Sequence, residues 1–70
     1  MSTILIIMHA SRIEWLVRDD LSTYASGTDL LNGPFGGTNG DYDSLLSNVV
    51  NHCHQLCKDK SDIDFIFRKA

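Results

Sequence analysis

Glycine and proline are confined to one part of this chain, and their confinement limits how the rest can fold. All five glycines and the only proline lie between residues 27 and 40 of the 70-residue sequence. Glycine permits backbone conformations that other residues avoid, and proline interrupts both helices and central strands. We therefore expect a glycine-rich loop at 27–40, with one regular segment before it and another after it.

The small size of the chain limits its core. At 70 residues, folding buries only about 60% of the surface of the unfolded chain, so a domain of this size usually needs a disulfide, a metal, very regular packing or a partner subunit. The chain is 43% hydrophobic and carries a formal net charge of -3, a balance typical of a globular domain. We expect one domain, spanning 1–70.

The segment before the loop begins with a strand. Residues 3–8 are continuously apolar and rich in isoleucine, which predicts a short strand buried on both faces. Ser11 then stands three residues before Glu14, which is the spacing of a capping box at the start of a helix. The apolar residues that follow recur at helical spacing: Ile13, Leu16, Val17, Leu21 and Tyr24. The sequence favours a helix here that ends at Gly27.

A second interpretation of the same residues stays open. Ile13, Trp15 and Val17 also stand at every second position, as the residues on one face of a strand do. Such a strand would form a hairpin with the first strand around residues 9–11.

The segment after the loop predicts a helix and then a strand. Asp41 or Asp43 can cap the helix. Acids at its start and lysines beyond its end each interact favourably with the helix dipole. Its apolar stripe comprises Leu45, Leu46, Val49, Val50, Cys53, Leu56 and Cys57. The final strand is indicated by alternation of Ile63, Phe65 and Phe67 with Asp64, Ile66 and Arg68.

The predicted fold is therefore α+β, in the order strand, helix, glycine-rich loop, helix, strand, with a small sheet packed on two helices. A sheet of two strands is marginal in water, so we expect something to complete it. Residues 29–31 could supply a third strand, or a second copy of the chain could pair edge to edge across a twofold axis. The second route also enlarges the core, and we expect a homodimer.

Several classes of function fit this sequence poorly. The longest apolar run, residues 4–8, is much shorter than the span of about 20 residues that crosses a membrane. The N-terminus lacks the features of a secretory signal, so the expected location is the cytoplasm. The six Lys and Arg residues are scattered and the pI is near 5.3, which argues against a nucleic-acid-binding role.

A His-Cys cluster at residues 52–57 offers an alternative function in zinc binding. Imidazole and thiolate are the usual zinc ligands, and the candidate set is His9, Cys53, His54 and Cys57. On a helix His52 and His54 point about 200° apart, so only one of them can join the cysteines. We favour the interpretation that both cysteines are reduced core residues and that the histidines are solvated. No cofactor is then expected.

Catalytic motifs are weak. The glycine-rich loop lacks the lysine of a phosphate-binding loop, and acids rather than bases begin the following helix. His9 and Ser11 are close in sequence, but a nucleophile and base also need an orienting acid and an oxyanion hole. We expect no enzymatic activity.

By elimination, the sequence predicts a small protein-binding module that acts as an inhibitor, adaptor or regulator of a larger protein. Proteins of this kind are frequent among phage and mobile-element proteins. The candidate contacts are apolar residues that could anchor an interface, Trp15, Leu30, Leu31 and Phe35. Asp19 and Asp20 would steer the module toward a basic patch on its partner.

Overall fold

Four strands and one α-helix make up the described part of the fold. The structure, a computed structural model, describes residues 1–20, 22–36, 40–60 and 62–70. The elements are β1 (Ser2–Met8), β2 (Arg12–Asp19), β3 (Ser22–Leu30), α1 (Tyr42–Leu56) and β4 (Ile63–Lys69). A single 3-10 turn, Pro34–Gly36, lies between β3 and α1.

The strands form one mixed sheet in the order β3-β2-β1-β4. The first three strands pair antiparallel with their sequence neighbours, and β4 pairs parallel with β1. A parallel strand needs a long crossover connection, and α1 lies in that connection. The helix thus leads the chain from one edge of the sheet to the other.

The core lies between α1 and one face of the sheet. Alternate residues of β1 and β2 project toward the helix, since successive side chains of a strand point to opposite faces. Eight hydrophobic residues there are at most 1% exposed: Ile4, Ile6, Ile13, Val17, Leu45, Val49, Cys53 and Cys57. Sheet and helix form a two-layer α+β domain, which confirms the predicted class.

The predicted first helix is wrong, and so is the packing of the sheet on two helices. The described residues assigned to that helix lie in β2, in β3 or, for Asp20, in the turn between them, and Leu21 lies outside the described residues. The alternative hairpin around 9–11 is confirmed. Ser11 caps no helix, because it lies in the hairpin turn and its carbonyl accepts a hydrogen bond from the Leu31 amide at 2.8 Å. The period-two pattern prevails because pairing with the apolar strand β1 buries Ile13 and Val17 against α1.

The predicted loop at 27–40 begins later than expected. β3 continues to Leu30, so Gly27 lies in a strand and ends no helix. Gly27 faces Trp15 across the β2–β3 pair, and a Cβ atom at this position would lie only 2.6 Å from Cζ2 of the indole. The missing side chain at Gly27 therefore leaves the space that the Trp15 ring occupies. Within the loop, a Cβ on Gly36 would collide with the carbonyl oxygen of Leu31; residues 37–39 lie outside the described residues.

The second half of the chain folds as predicted. Asp41 is the N-cap of α1, where its carboxylate accepts hydrogen bonds from the Asp43 amide at 3.2 Å and the Ser44 hydroxyl at 2.9 Å. β4 confirms the final strand.

The prediction that β1 is buried on both faces is wrong, because Leu5 and Ile7 are only half-buried on the side away from α1.

We expect Gly27→Ala to destabilise the protein by about 1–3 kcal/mol, because the new methyl group must displace the Trp15 ring. Urea denaturation followed by tryptophan fluorescence measures both the loss of stability and the change around the indole. Ser26→Ala is the matched control on the opposite face of β3 and should change stability by less than about 0.5 kcal/mol. Equal stability and equal emission for both variants would contradict this role of Gly27.

Candidate functional site

The face of the sheet that points away from α1 carries an uncovered apolar centre. We call this surface the open face and define its centre by Leu5, Ile7, Leu16 and Ile66. The strand register brings these residues together, since Leu5 lies directly between Leu16 on β2 and Ile66 on β4. Leu5, Ile7 and Leu16 are half-buried by their neighbours, and Ile66 is 46% exposed. No element in the described ranges covers them.

Charged and polar side chains surround this apolar centre. Thr3 separates Arg18 from Asp64 at one end, and Ile7 separates Glu14 from Arg68 at the other. A shallow depression of about 310 Å³ follows the β1–β2–β3 part of the face. An apolar patch with a polar rim is typical of a protein-binding surface.

Trp15 and Phe35, two of the predicted contacts, lie together on the helix side of the sheet. The indole Nε1 of Trp15 donates a hydrogen bond to Asp29 Oδ2 at 2.9 Å. The ring of His52 packs between them, with centroids 5.3 Å from Trp15 and 5.5 Å from Phe35. Trp15 is thus a residue of the core margin, and the expectation that His52 is solvated is wrong.

Leu30 and Leu31 lie at the end of β3 that is far from the β2–β3 turn. They line an open groove of about 390 Å³ together with Ser11, Asn32 and Gly40. Leu30 is 52% exposed and by its position in β3 points to the same side as the open face. Among the predicted contacts on the strands, Leu30 is therefore the one whose side chain lies on the open face.

Asp19 and Asp20 lie at the opposite end of the β2–β3 hairpin. Lys60 Nζ donates a hydrogen bond to Asp19 Oδ2 at 2.9 Å, and this bond holds the pKa of Asp19 below its ordinary value although burial opposes the shift. The same bond raises the pKa of Lys60, whose ammonium group also lies 5.2 Å from the ring centroid of Tyr24. Asp19 is therefore already paired within the chain.

Asp20 differs from its neighbour in being exposed. It adopts a positive φ of 57°, and its carboxylate lies 3.3 Å from the N-terminal amine. The six predicted contact residues thus occupy three separate places: the core margin, the groove beside Leu30 and the β2–β3 turn.

The residues of the predicted zinc alternative are dispersed. Cys53 and Cys57 are free thiols in the core, and burial raises the pKa of both, that of Cys53 to about 12. His54 is exposed, and His9 Nε2 lies 2.8 Å from Glu14 Oε2. In the part of the chain that the structure describes, no three His, Cys, Asp or Glu side chains are grouped to hold a metal ion. The interpretation of the cysteines as core residues is confirmed.

Sequence reasoning missed the open face. The isoleucine-rich run predicts a strand buried on both faces for Leu5 and Ile7, and the helical spacing predicts a helix at Leu16. The available signal was the alternation of Glu14, Leu16 and Arg18, which places one apolar residue between two charged ones on the same face of a strand.

Comparison with known proteins adds no assignment. Neither a protein-family model, nor a curated protein, nor a solved structure matches this chain. Within the described ranges, no helix has both the length and the apolar character that a membrane span requires.

Asp19→Asn should lower stability at neutral pH and leave it unchanged in acid. Because the pKa of Asp19 is lowered from 3.8, its ionised form stabilises the fold, and this contribution is lost as the pH falls through the lowered pKa. Urea denaturation of both proteins should show a difference in the free energy of unfolding at neutral pH that disappears in acid, once the pH has fallen below the lowered pKa of Asp19. Asp20→Asn, which changes an exposed ion pair, is the control and should lower the free energy of unfolding less at neutral pH. A loss of stability in Asp19→Asn that persists in acid would contradict the pairing of Asp19 with Lys60.

Both cysteines should resist thiol reagents in the folded protein. The thiolate is the reactive form, and burial raises the pKa of Cys53 to about 12. We expect colorimetric titration at neutral pH to detect two thiols in urea. In the native protein, we expect neither thiol to react quickly. Rapid reaction of either thiol in the native protein would contradict this placement, whereas reaction triggered by a chelator would favour the zinc alternative.

Proposed function

We propose that this protein is a non-enzymatic binding module that acts as an inhibitor, adaptor or regulator of a larger protein, and that it binds through the open face. The observation that carries the proposal is the uncovered centre formed by Leu5, Ile7, Leu16 and Ile66. Each Å² of apolar surface removed from water contributes about 25 cal/mol, so covering this centre with a partner is favourable.

The chemistry of the open face defines the partner that it fits. The centre is aliphatic and lies on a sheet, so the complementary surface is apolar and broad rather than a single inserted side chain. The rim alternates Glu14 and Asp64 with Arg18 and Arg68, which suits a protein surface of mixed charge. A nucleic acid fits less well, since its phosphates would meet both carboxylates.

A non-enzymatic role is supported by the roles of the polar side chains. His9, Asp19 and Asp29 are each hydrogen-bonded to another side chain of the same protein. These bonds join β2 to its surroundings and so serve the fold. Two free, buried cysteines support a reducing compartment such as the cytoplasm.

Leu16→Lys tests the open face, because Leu16 lies on the inner strand β2 and its replacement places a charge in the apolar centre. The wild-type protein is first used to capture its partner from the organism that encodes it, and the purified partner is then titrated calorimetrically. We expect Leu16→Lys to weaken binding by about tenfold or more, a typical loss at a central interface position. Asn51→Lys adds the same charge to the exposed side of α1 and should bind as the wild type does.

Two further variants locate the surface if the open face is not used. Circular dichroism and urea denaturation first establish that each variant is folded. Binding that survives Leu16→Lys and is lost in Trp15→Ala or Phe35→Ala would contradict the open face and assign recognition to the core margin beside His52.

A further inference from the structure

The outer side of β4 is a regular sheet edge with exposed apolar and charged side chains. β4 is the last strand in the order β3-β2-β1-β4. All seven of its residues pair with β1 without a register shift, from Ile63 opposite Ser2 to Lys69 opposite Met8. Ile66 is 46% and Phe67 is 51% exposed. An edge of this kind is a template for another strand.

The hydrogen bonds at the two ends of β4 show which backbone groups face outward. The Ser2 amide donates to the Asp62 carbonyl at 2.8 Å, and the Ala70 amide donates to the Met8 carbonyl at 3.0 Å. Even-numbered residues therefore direct their amides and carbonyls toward β1. Because alternate residues of a strand direct these groups to opposite sides, the odd-numbered residues from 63 to 69 direct theirs to the free edge.

Residues 64–68, Asp-Phe-Ile-Phe-Arg, are complementary to themselves when a second copy runs antiparallel. With a twofold axis at Ile66, Asp64 lies opposite Arg68 of the second copy and Phe65 lies opposite its Phe67. Odd residues then face odd residues, so the outward amides and carbonyls of the two strands meet. A shift of one residue would misalign these groups, and a shift of two would place Asp64 opposite Ile66 or Ala70 instead of Arg68.

We propose that β4 pairs antiparallel with β4 of a second copy of this chain, with the twofold axis at Ile66. Charged residues on an edge strand ordinarily discourage pairing, but this register matches opposite charges twice. Among the described residues, neither Asp64 nor Arg68 forms an ion pair within its own chain. The two sheets of four strands become one sheet of eight.

The other edge of the sheet is less suited to this pairing. The pairing of β3 with β2 is interrupted by a register shift between Val17 and Arg18, and a bulge twists an edge away from a new strand. The exposed side chains of β3 are mostly polar, and Gly27 adds no cross-strand contact. β4 has the regular backbone, the aromatic pairs and the matched charges together.

A twofold axis normal to the sheet places both helices on one side and both open faces on the other. Ile66 lies at the axis, so the two apolar centres become continuous. The pairing does not depend on the proposed function, since β4 can pair whether or not a partner binds the open face.

Sedimentation equilibrium and amide hydrogen exchange test the pairing. At micromolar concentration we expect a mass twice the 7.8 kDa of the chain. The outward amides of Phe65 and Phe67 should exchange slowly in the dimer and faster on dilution. A monomer at these concentrations, or a dimer in which these two amides stay unprotected, would overturn the proposal.

Charge reversal then tests the register. Asp64→Arg and Arg68→Asp should each weaken dimerisation by about tenfold or more, because each places like charges opposite one another twice. Combining both substitutions in one chain should restore the dimer. Lys58→Asp makes the same change in net charge as Arg68→Asp, but outside β4, and should leave the dimer intact. Equal dimerisation in all four variants would overturn the register.

Leu16→Lys should leave dimerisation unchanged, so failure of the pairing is distinguishable from failure of the open face.

Discussion

Contact between one side of α1 and one face of β1 and β2 holds this domain together. The helix contributes Leu45, Val49 and Cys53 to a core whose other wall includes Ile4 and Ile6. Full burial of one aliphatic side chain of this size contributes about 1.5–3 kcal/mol, so a core of so few residues tolerates little loss. The close packing also explains the cysteines, whose small apolar side chains fit beside the sheet and whose burial raises their pKa.

In the described part of the chain one α-helix covers one face of the four-stranded sheet, and the open face follows from this limit, whereas the free edge of β4 follows from the strand order. The open face and the free edge of β4 meet at Ile66, which belongs to both surfaces. On the open face Ile66 lies beside Leu5, and on the edge it lies at the proposed axis between Asp64 and Arg68. Dimerisation would thus enlarge the same apolar surface that we propose as the binding site.

The margin of the core is closed by polar contacts. The Trp15 indole donates a hydrogen bond to Asp29 beside the space that Gly27 leaves, and the His52 ring packs edge-on against the same indole. A tryptophan at the margin is favourable when its N–H finds an acceptor, as it does here. Trp15, which the sequence suggests as a binding anchor, therefore has a structural role in this fold. The candidate binding surface is instead the open face, on the opposite side of the sheet.

The sequence alone predicts β1, α1 and β4, because their patterns are local: an isoleucine-rich run, an apolar stripe that begins after Asp41 or Asp43, and strict alternation from Ile63. It also determined the core position of the cysteines. For residues 12–20 and 22–30, where helical spacing and strand alternation coexist, the secondary structure depends on tertiary contacts. Pairing with β1 selected the strands, since it buries Ile13 and Val17 against α1. The open face followed from that choice, because which side of a sheet stays uncovered depends on how many helices remain to cover it.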